Sequence, residues 1–81
     1  MLIKMKKKSE LLEHFKKNGY TKDSGCDSYY SPSNRIFTYE MFNMCDTVCD
    51  ALIDNTSEYD FVIKIENENF GVKKEWCKII T

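Results

Sequence analysis

The sequence predicts a small α+β domain, made of one N-terminal helix and an antiparallel sheet of four or five short strands that curls toward a partly open barrel. Apolar residues recur at helical spacing near the start of the chain and alternate in short, turn-bounded runs from residue 36 onward. The 81 residues suffice for one domain and exclude a dinucleotide-binding fold or a TIM barrel. Eleven aromatic side chains can fill so small a core.

The helix is expected over residues 9–17. Ser9 is a suitable N-cap, because its hydroxyl can accept a backbone N–H that the first turn leaves unpaired. Gly19 follows at the position where a left-handed residue commonly ends a helix. Tyr20 is then expected to pack back against the helix end. The apolar stripe of this helix consists of Leu11, Leu12 and Phe15.

The remainder divides into a polar connection and a set of strands. Residues 23–35 contain glycine, proline and four serines, which disfavour a helix or a central strand. The predicted organisation is one domain over 1–81, with a basic arm and helix in 1–22, a loop in 23–35 and the sheet or barrel in 36–81. Expected strands cover 36–39, 47–53, 61–66, 70–72 and 78–80, with a helical turn at 40–44, turns at 54–57 and 67–69, and a 3₁₀ turn at 74–77.

The formal net charge of −1 conceals two oppositely charged parts. Residues 1–22 carry seven lysines and two glutamates, whereas residues 23–81 carry five basic and eleven acidic side chains. An acidic surface would attract a basic groove on a nucleic-acid-binding protein and speed the encounter. Its other interpretation is a solvated face that keeps the protein soluble. The carboxylates expected to bind a partner are Glu40, Asp46, Asp50, Asp54, Glu58 and Asp60.

Tyr29 and Tyr30 form the other predicted contact surface. Tyrosine is frequent at binding surfaces, because it buries a large area at a small cost in side-chain entropy. Both tyrosines lie in the polar connection, where an ordered loop would present them together.

The four cysteines form a possible metal site. Structural zinc takes four ligands, usually cysteine thiolates and histidine, and the chain contains Cys26, Cys45, Cys49 and Cys77. A site built from all four would close the long loop onto the sheet. The chain lacks a CxxC knuckle, and free cysteines commonly behave as small buried hydrophobic residues, so both interpretations stay open.

A sequence pattern in the second half of the chain consists of Phe37-Thr38-Tyr39-Glu40-Met41, Cys45-Asp46, Val48, Phe61-Val62-Ile63 and Glu75-Trp76-Cys77. In these residues the segment from Phe37 to Ile80, about half of the chain, resembles small uncharacterised phage and prophage proteins with SH3-like barrels. The resemblance implies an SH3-like fold and a phage origin. Asp46 stands where those proteins usually have glycine, but aspartate tolerates a left-handed backbone.

Catalytic motifs are not recognisable in the sequence. It has no nucleophile elbow, phosphate loop or H-E-x-x-H pattern, and its only histidine, His14, is expected at an exposed helix position. The chain is therefore expected to be non-enzymatic.

The leading functional hypothesis is a phage- or prophage-encoded protein that binds another protein through its acidic surface and inhibits a host defence nuclease, as anti-CRISPR proteins do. The composition supports a low-GC bacterial or phage origin, with a single alanine, arginine and proline among many lysines and asparagines. The alternative is a nucleic-acid-binding phage regulator that uses the basic N-terminal arm, although four lysines without arginine make direct nucleic-acid contact the weaker expectation. No signal peptide or membrane span is recognisable, which predicts a cytoplasmic location in the host cell.

Overall fold

The computed structural model describes residues 1–56 and 58–81. These residues form one α-helix, two 3₁₀ helices at Tyr39–Met44 and Lys74–Trp76, and nine short strands. The helix, α1, spans Lys8–Lys17. The strands are β1 (Leu2–Met5), β2 (Thr21–Lys22), β3 (Tyr29–Tyr30), β4 (Ile36–Phe37), β5 (Val48–Asp50), β6 (Leu52–Ile53), β7 (Phe61–Ile65), β8 (Glu68–Val72) and β9 (Cys77–Ile79).

The strands pair in three antiparallel sheets of three strands each, in the orders β5-β1-β9, β2-β3-β4 and β6-β7-β8. The predicted α+β class is confirmed. The predicted single sheet of four or five strands is wrong, and the described residues form no closed SH3-like barrel. One of the three sheets includes β3 from the predicted polar loop, which sequence composition alone did not indicate.

The segment predicted as one strand forms two strands, β5 and β6, which are separated at Ala51. Residues 47–53 were expected to form a single strand, but β5 pairs with β1 and β6 pairs with β7. Ala51 lies between them, is buried, and exchanges hydrogen bonds with Met1 through both its N–H and its carbonyl. The chain therefore passes at Ala51 from an edge of one sheet to an edge of another.

Strand β1 replaces the predicted basic arm. It is the central strand of its sheet, with β5 on one side and β9 on the other. Ile3 and Met5 are fully buried, whereas Lys4 between them is exposed. The alternation of Ile3 and Met5 with lysines is a strand pattern, but it is short and the surrounding charges obscure it.

Helix α1 begins earlier than predicted and ends as predicted. Its N-cap is Lys7, which makes no capping hydrogen bond through its side chain, so the prediction that Ser9 caps the helix is wrong. At the other end Gly19 has a φ of 72°. The Tyr20 N–H donates to the Phe15 carbonyl at 3.0 Å, and the two rings stack 4.5 Å apart. This is the 6→1 hydrogen bond of a Schellman motif with a left-handed glycine, and it confirms the roles predicted for Gly19 and Tyr20.

An aromatic cluster joins the helix to the sheets. Phe15, Phe37 and Trp76 are almost completely buried, and the Phe37 ring lies 5.3 Å from that of Phe15 and 5.1 Å from that of Trp76. The Trp76 indole N–H donates to the Tyr20 hydroxyl at 2.9 Å. The only buried indole donor is thereby satisfied, which is required for a tryptophan inside a core.

The turns of the second half follow local backbone chemistry. The β7–β8 hairpin closes through Glu66 and Asn67, with φ of 48° and 69°, as a two-residue turn of the type that suits twisted strands. The turn predicted at 67–69 is therefore displaced by one residue, and β8 begins at Glu68. Asp46 has a φ of 59°, which confirms that aspartate supports the left-handed turn there.

Candidate binding surfaces

Strand β6 exposes two consecutive apolar side chains. Leu52 is 74% exposed and Ile53 is 59% exposed, although both lie in a strand paired with β7. Val48, four residues earlier on the same segment, is 51% exposed. Leu52 and Ile53 point to opposite faces of β6, but β6 is an edge strand of its sheet, so a partner that covers this edge can contact both side chains. We call Val48, Leu52 and Ile53 the apolar strip, because they are the exposed apolar residues of one chain segment. Isolated exposed leucines are ordinary, whereas neighbouring ones on a sheet edge are typical of an interaction surface.

Strand alternation was a sequence signal that part of the apolar strip faces solvent, and sequence reasoning missed it. Successive side chains of a half-buried strand alternate between core and solvent, so one of Leu52 and Ile53 should have been exposed. The break at Ala51 leaves β6 only two residues long, and neither of its side chains reaches the buried cluster.

The predicted acidic surface divides into structural and free carboxylates. The Asp60 carboxylate accepts the Lys74 N–H at 2.8 Å, and Asp46 forms an exposed ion pair with Lys4 at 3.4 Å. Asp50 is exposed on β5, between Val48 and Leu52 in the chain, and Glu58 is exposed in the loop that connects β6 with β7. Asp50 and Glu58 are therefore exposed carboxylates close in sequence to the apolar strip.

Asp54 organises the loop that follows β6. One carboxylate oxygen accepts the Thr56 N–H at 2.9 Å and the Thr56 hydroxyl at 2.7 Å, and the other accepts the Tyr59 N–H at 2.8 Å. These hydrogen bonds, the Thr56 hydroxyl first, lower the pKa of Asp54. The predicted turn at 54–57 is present at Asn55 and Thr56, and Ser57 lies outside the described residues.

Tyr59 and Arg35 tie this loop to the sheet containing β4. The Tyr59 hydroxyl accepts the Ile36 N–H at 2.8 Å, and the Arg35 guanidinium lies 5.8 Å from the Tyr59 ring centre. Arg35 also donates through Nε to the Glu58 carbonyl. The Tyr59 ring lies directly over Gly71 in β8, where a Cβ atom would be 2.8 Å from Cδ2 and closer still to Cγ and Cδ1. A glycine is therefore required beneath Tyr59.

Glu40 belongs to a separate acidic depression. This depression, of about 120 Å³, lies between the first 3₁₀ helix and the β7–β8 turn. Glu66 and Glu68 line it together with Glu40, Asn43 and Ile65. The six predicted carboxylates are thus not one continuous face.

The two predicted contact tyrosines have different environments. Tyr29 is half-buried, with its ring centre 4.9 Å from Phe15 and 6.1 Å from Phe42. Tyr30 is exposed on the opposite side of β3. Successive side chains of a strand point to opposite faces, so these tyrosines do not form one patch.

The four cysteines do not assemble into a metal site. Cys26 is exposed, Cys45 and Cys49 are half-buried, and Cys77 is buried. Within residues 1–56 and 58–81, no group of three or more histidine, cysteine or acidic side chains is placed to hold a metal ion. Burial raises the pKa of all three sheltered thiols, that of Cys77 to about 11, so these thiols are protonated at neutral pH when no metal is bound.

His14 is less exposed than predicted. Its ring packs edge-on against Tyr20 at 5.5 Å, and its Nδ1 lies 3.1 Å from the Asn18 side-chain nitrogen. Its Nε2 is buried without a hydrogen-bond partner among the described residues. Desolvation, followed by the neighbouring Lys6 charge, lowers the pKa of His14.

Comparison with known proteins adds no family or fold relative. No family model, curated protein sequence or solved structure matches this chain. No helix of the described residues has both the length and the apolar character needed to cross a bilayer.

Proposed function

We propose that this chain is a small non-enzymatic binding protein of phage or prophage origin whose partner is a basic, nucleic-acid-binding protein. The observation that carries the proposal is the exposure of Leu52 and Ile53 on the edge strand β6, in a chain segment that also bears the exposed carboxylates of Asp50 and Glu58. Protein interfaces commonly combine an apolar centre that is desolvated on binding with a polar rim.

The acidic side chains of this chain segment favour a partner with a basic surface. Acidic neighbours would attract a basic surface, and complementary charge mainly accelerates association and excludes wrong partners. Proteins that handle nucleic acids have basic grooves of this kind. We therefore take the partner to be a nuclease of host defence, which the chain would inhibit as anti-CRISPR proteins do.

Affinity capture with matched variants tests the binding proposal. The tagged protein is incubated with lysate of a low-GC bacterium, and retained proteins are identified by mass spectrometry. Replacing Leu52 and Ile53 together with serine should abolish retention of the partner. The control replaces Ile79 and Ile80, a second exposed apolar pair, with serine and should retain it.

The outcomes separate binding from inhibition. The binding proposal fails if no protein is retained, or if the Leu52 and Ile53 variant retains the same set as the control. The charge argument predicts slower association for the Asp50→Asn, Glu58→Gln variant at low salt. If cleavage of target DNA by a purified Cas nuclease is unchanged in excess of this protein, inhibition of that nuclease is excluded.

A further inference from the structure

A groove lined by lysines lies beside the exposed face of β1. It has a volume of about 240 Å³, and four of its seven lining residues are lysines. Lys4 comes from β1, Lys78 from β9, and Lys6 and Lys7 from the turn that leads into α1. We call it the lysine groove. Its other lining residues are Met5, Glu10 and Asp46.

The pairing of β1 with β9 holds two lysines of the lysine groove close together. Lys4 and Lys78 are directly opposite each other across β1 and β9. Like charges in this arrangement repel and destabilise the strand pair. Lys4 has one exposed ion pair with Asp46, and no ion pair to Lys6, Lys7 or Lys78 is present in the described part of the chain. The groove therefore carries positive charge that the protein only partly compensates.

We propose that the lysine groove binds the phosphodiester backbone of a nucleic acid. Phosphates would neutralise the repelling ammonium groups of Lys4 and Lys78, and binding would release condensed counterions. Lys4 is opposite Val48 across β1 and β5, so the groove lies next to one end of the apolar strip, but Leu52 and Ile53 do not line it. The groove adds a second ligand to the proposed function.

The composition of the groove favours nucleic acid over an acidic protein. Its only apolar lining residue is Met5, which is 1% exposed, so a protein partner would find no anchor to bury there. Backbone phosphates need no apolar anchor. The groove has no aromatic lining residue on which a base could stack, so binding is expected to be independent of base sequence.

The rigid placement of these lysines distinguishes them from a solvated arm. The Lys4 backbone belongs to the central strand of a sheet, and the Lys6 N–H donates to the Trp76 carbonyl at 3.0 Å. Lys78, far away in the sequence, completes the groove. Sequence reasoning missed Lys78, because only the β1–β9 register places it opposite Lys4.

Fluorescence anisotropy with labelled 20-nucleotide single strands of two different sequences tests the proposal. Four phosphate contacts predict a slope of about −3 in a plot of log binding constant against log salt concentration. The Lys4→Gln, Lys78→Gln variant should bind about tenfold or more weakly and lose about 1.4 of that slope. The control, Lys16→Gln, Lys64→Gln, removes two exposed charges outside the groove and should change affinity less than about twofold.

Several results would contradict the proposal that the lysine groove binds nucleic acid. Equal losses in the two double variants, no binding at 25 mM salt, strong preference for one sequence, or equally tight binding of poly-glutamate would overturn it. The Lys4→Gln, Lys78→Gln variant should unfold at a nearly unchanged denaturant concentration, because the loss of the cross-strand repulsion offsets the loss of the exposed ion pair between Lys4 and Asp46. The Leu52→Ser, Ile53→Ser variant should bind DNA normally, so failure here is distinguishable from failure of the proposed function.

Discussion

At the scale of single residues, the same side-chain type has different roles according to the backbone that holds it. Asp54 accepts three hydrogen bonds within one loop, whereas Asp50, four residues earlier, is exposed on β5. Tyr29 packs into the aromatic cluster and Tyr30 does not. Residue type therefore indicated which side chains could contact a partner. The local backbone determines which of those side chains are exposed.

Gly71 gives the sharpest prediction at this scale. Gly71→Ala should lower the free energy of unfolding by about 1–3 kcal/mol, because the added methyl group overlaps the Tyr59 ring and forces that ring to move. The displacement would also weaken the Tyr59 hydrogen bond to Ile36. Urea unfolding followed by Trp76 fluorescence measures the change.

Gly25→Ala is the matched control for this prediction. A Cβ atom at Gly25 would meet only Asp23 Oδ1, at an ordinary 3.6 Å. Its free energy of unfolding should change by less than about 0.5 kcal/mol, as is usual for surface substitutions. Equal stabilities for the two variants would contradict the placement of Tyr59 over Gly71.

At the scale of elements, helix α1 shows that the sequence predicts the end of a helix more reliably here than its start. Its end was predictable, because Gly19 is the residue most easily placed in a left-handed conformation and Tyr20 can pack on Phe15. Its start was not, because Ser9 can cap the helix only if its own backbone is extended, and Ser9 lies inside the helix. The turn from β1 instead brings Lys7 to the cap position, with ψ of 151°.

The uncapped start of α1 can be tested at Lys7. Lys7→Ser supplies a hydroxyl that can accept an orphan N–H, and Lys7→Ala removes the same charge without supplying one. The serine variant should be more stable than the alanine variant by about 0.5–2 kcal/mol. Urea unfolding at equal salt measures the difference. Equal stabilities would show that the first turn already has other acceptors.

At the scale of the whole molecule, Cys49 and Cys77 lie on the two strands that flank β1, whereas Cys26 lies in a different sheet's loop, so the described residues bring no three of these thiols together as metal ligands. Cys26 lies in the loop between β2 and β3, Cys49 is opposite Ile3 on β5, and Cys77 is opposite Met5 on β9. A zinc site would have required the β2–β3 loop to fold back onto the sheet. That loop instead closes locally, with the Asp23 carboxylate accepting the Gly25 N–H at 2.8 Å.

Thiol reactivity distinguishes dispersed cysteines from a metal site. With Ellman's reagent at pH 8, Cys26 should react fastest, Cys45 and Cys49 more slowly, and Cys77 only on unfolding or as the pH approaches its pKa of about 11. Cys26→Ser should remove the fast phase. Protection of all four thiols until a chelator is added, with zinc above about half an equivalent, would contradict this distribution.

Sequence patterns were enough to predict the α+β class, the uneven distribution of charge, the helix end at Gly19 and the alternating strand β7. These features depend on residues a few positions apart, whose spacing follows the helix and strand periods. The pairing of the strands was needed to show that β1 is a central strand, that the predicted strand at 47–53 divides at Ala51, and that Lys78 lies opposite Lys4. Which strands pair depends on burial and on hydrogen bonding between segments that are distant in the chain. A local sequence pattern therefore does not predict the pairing.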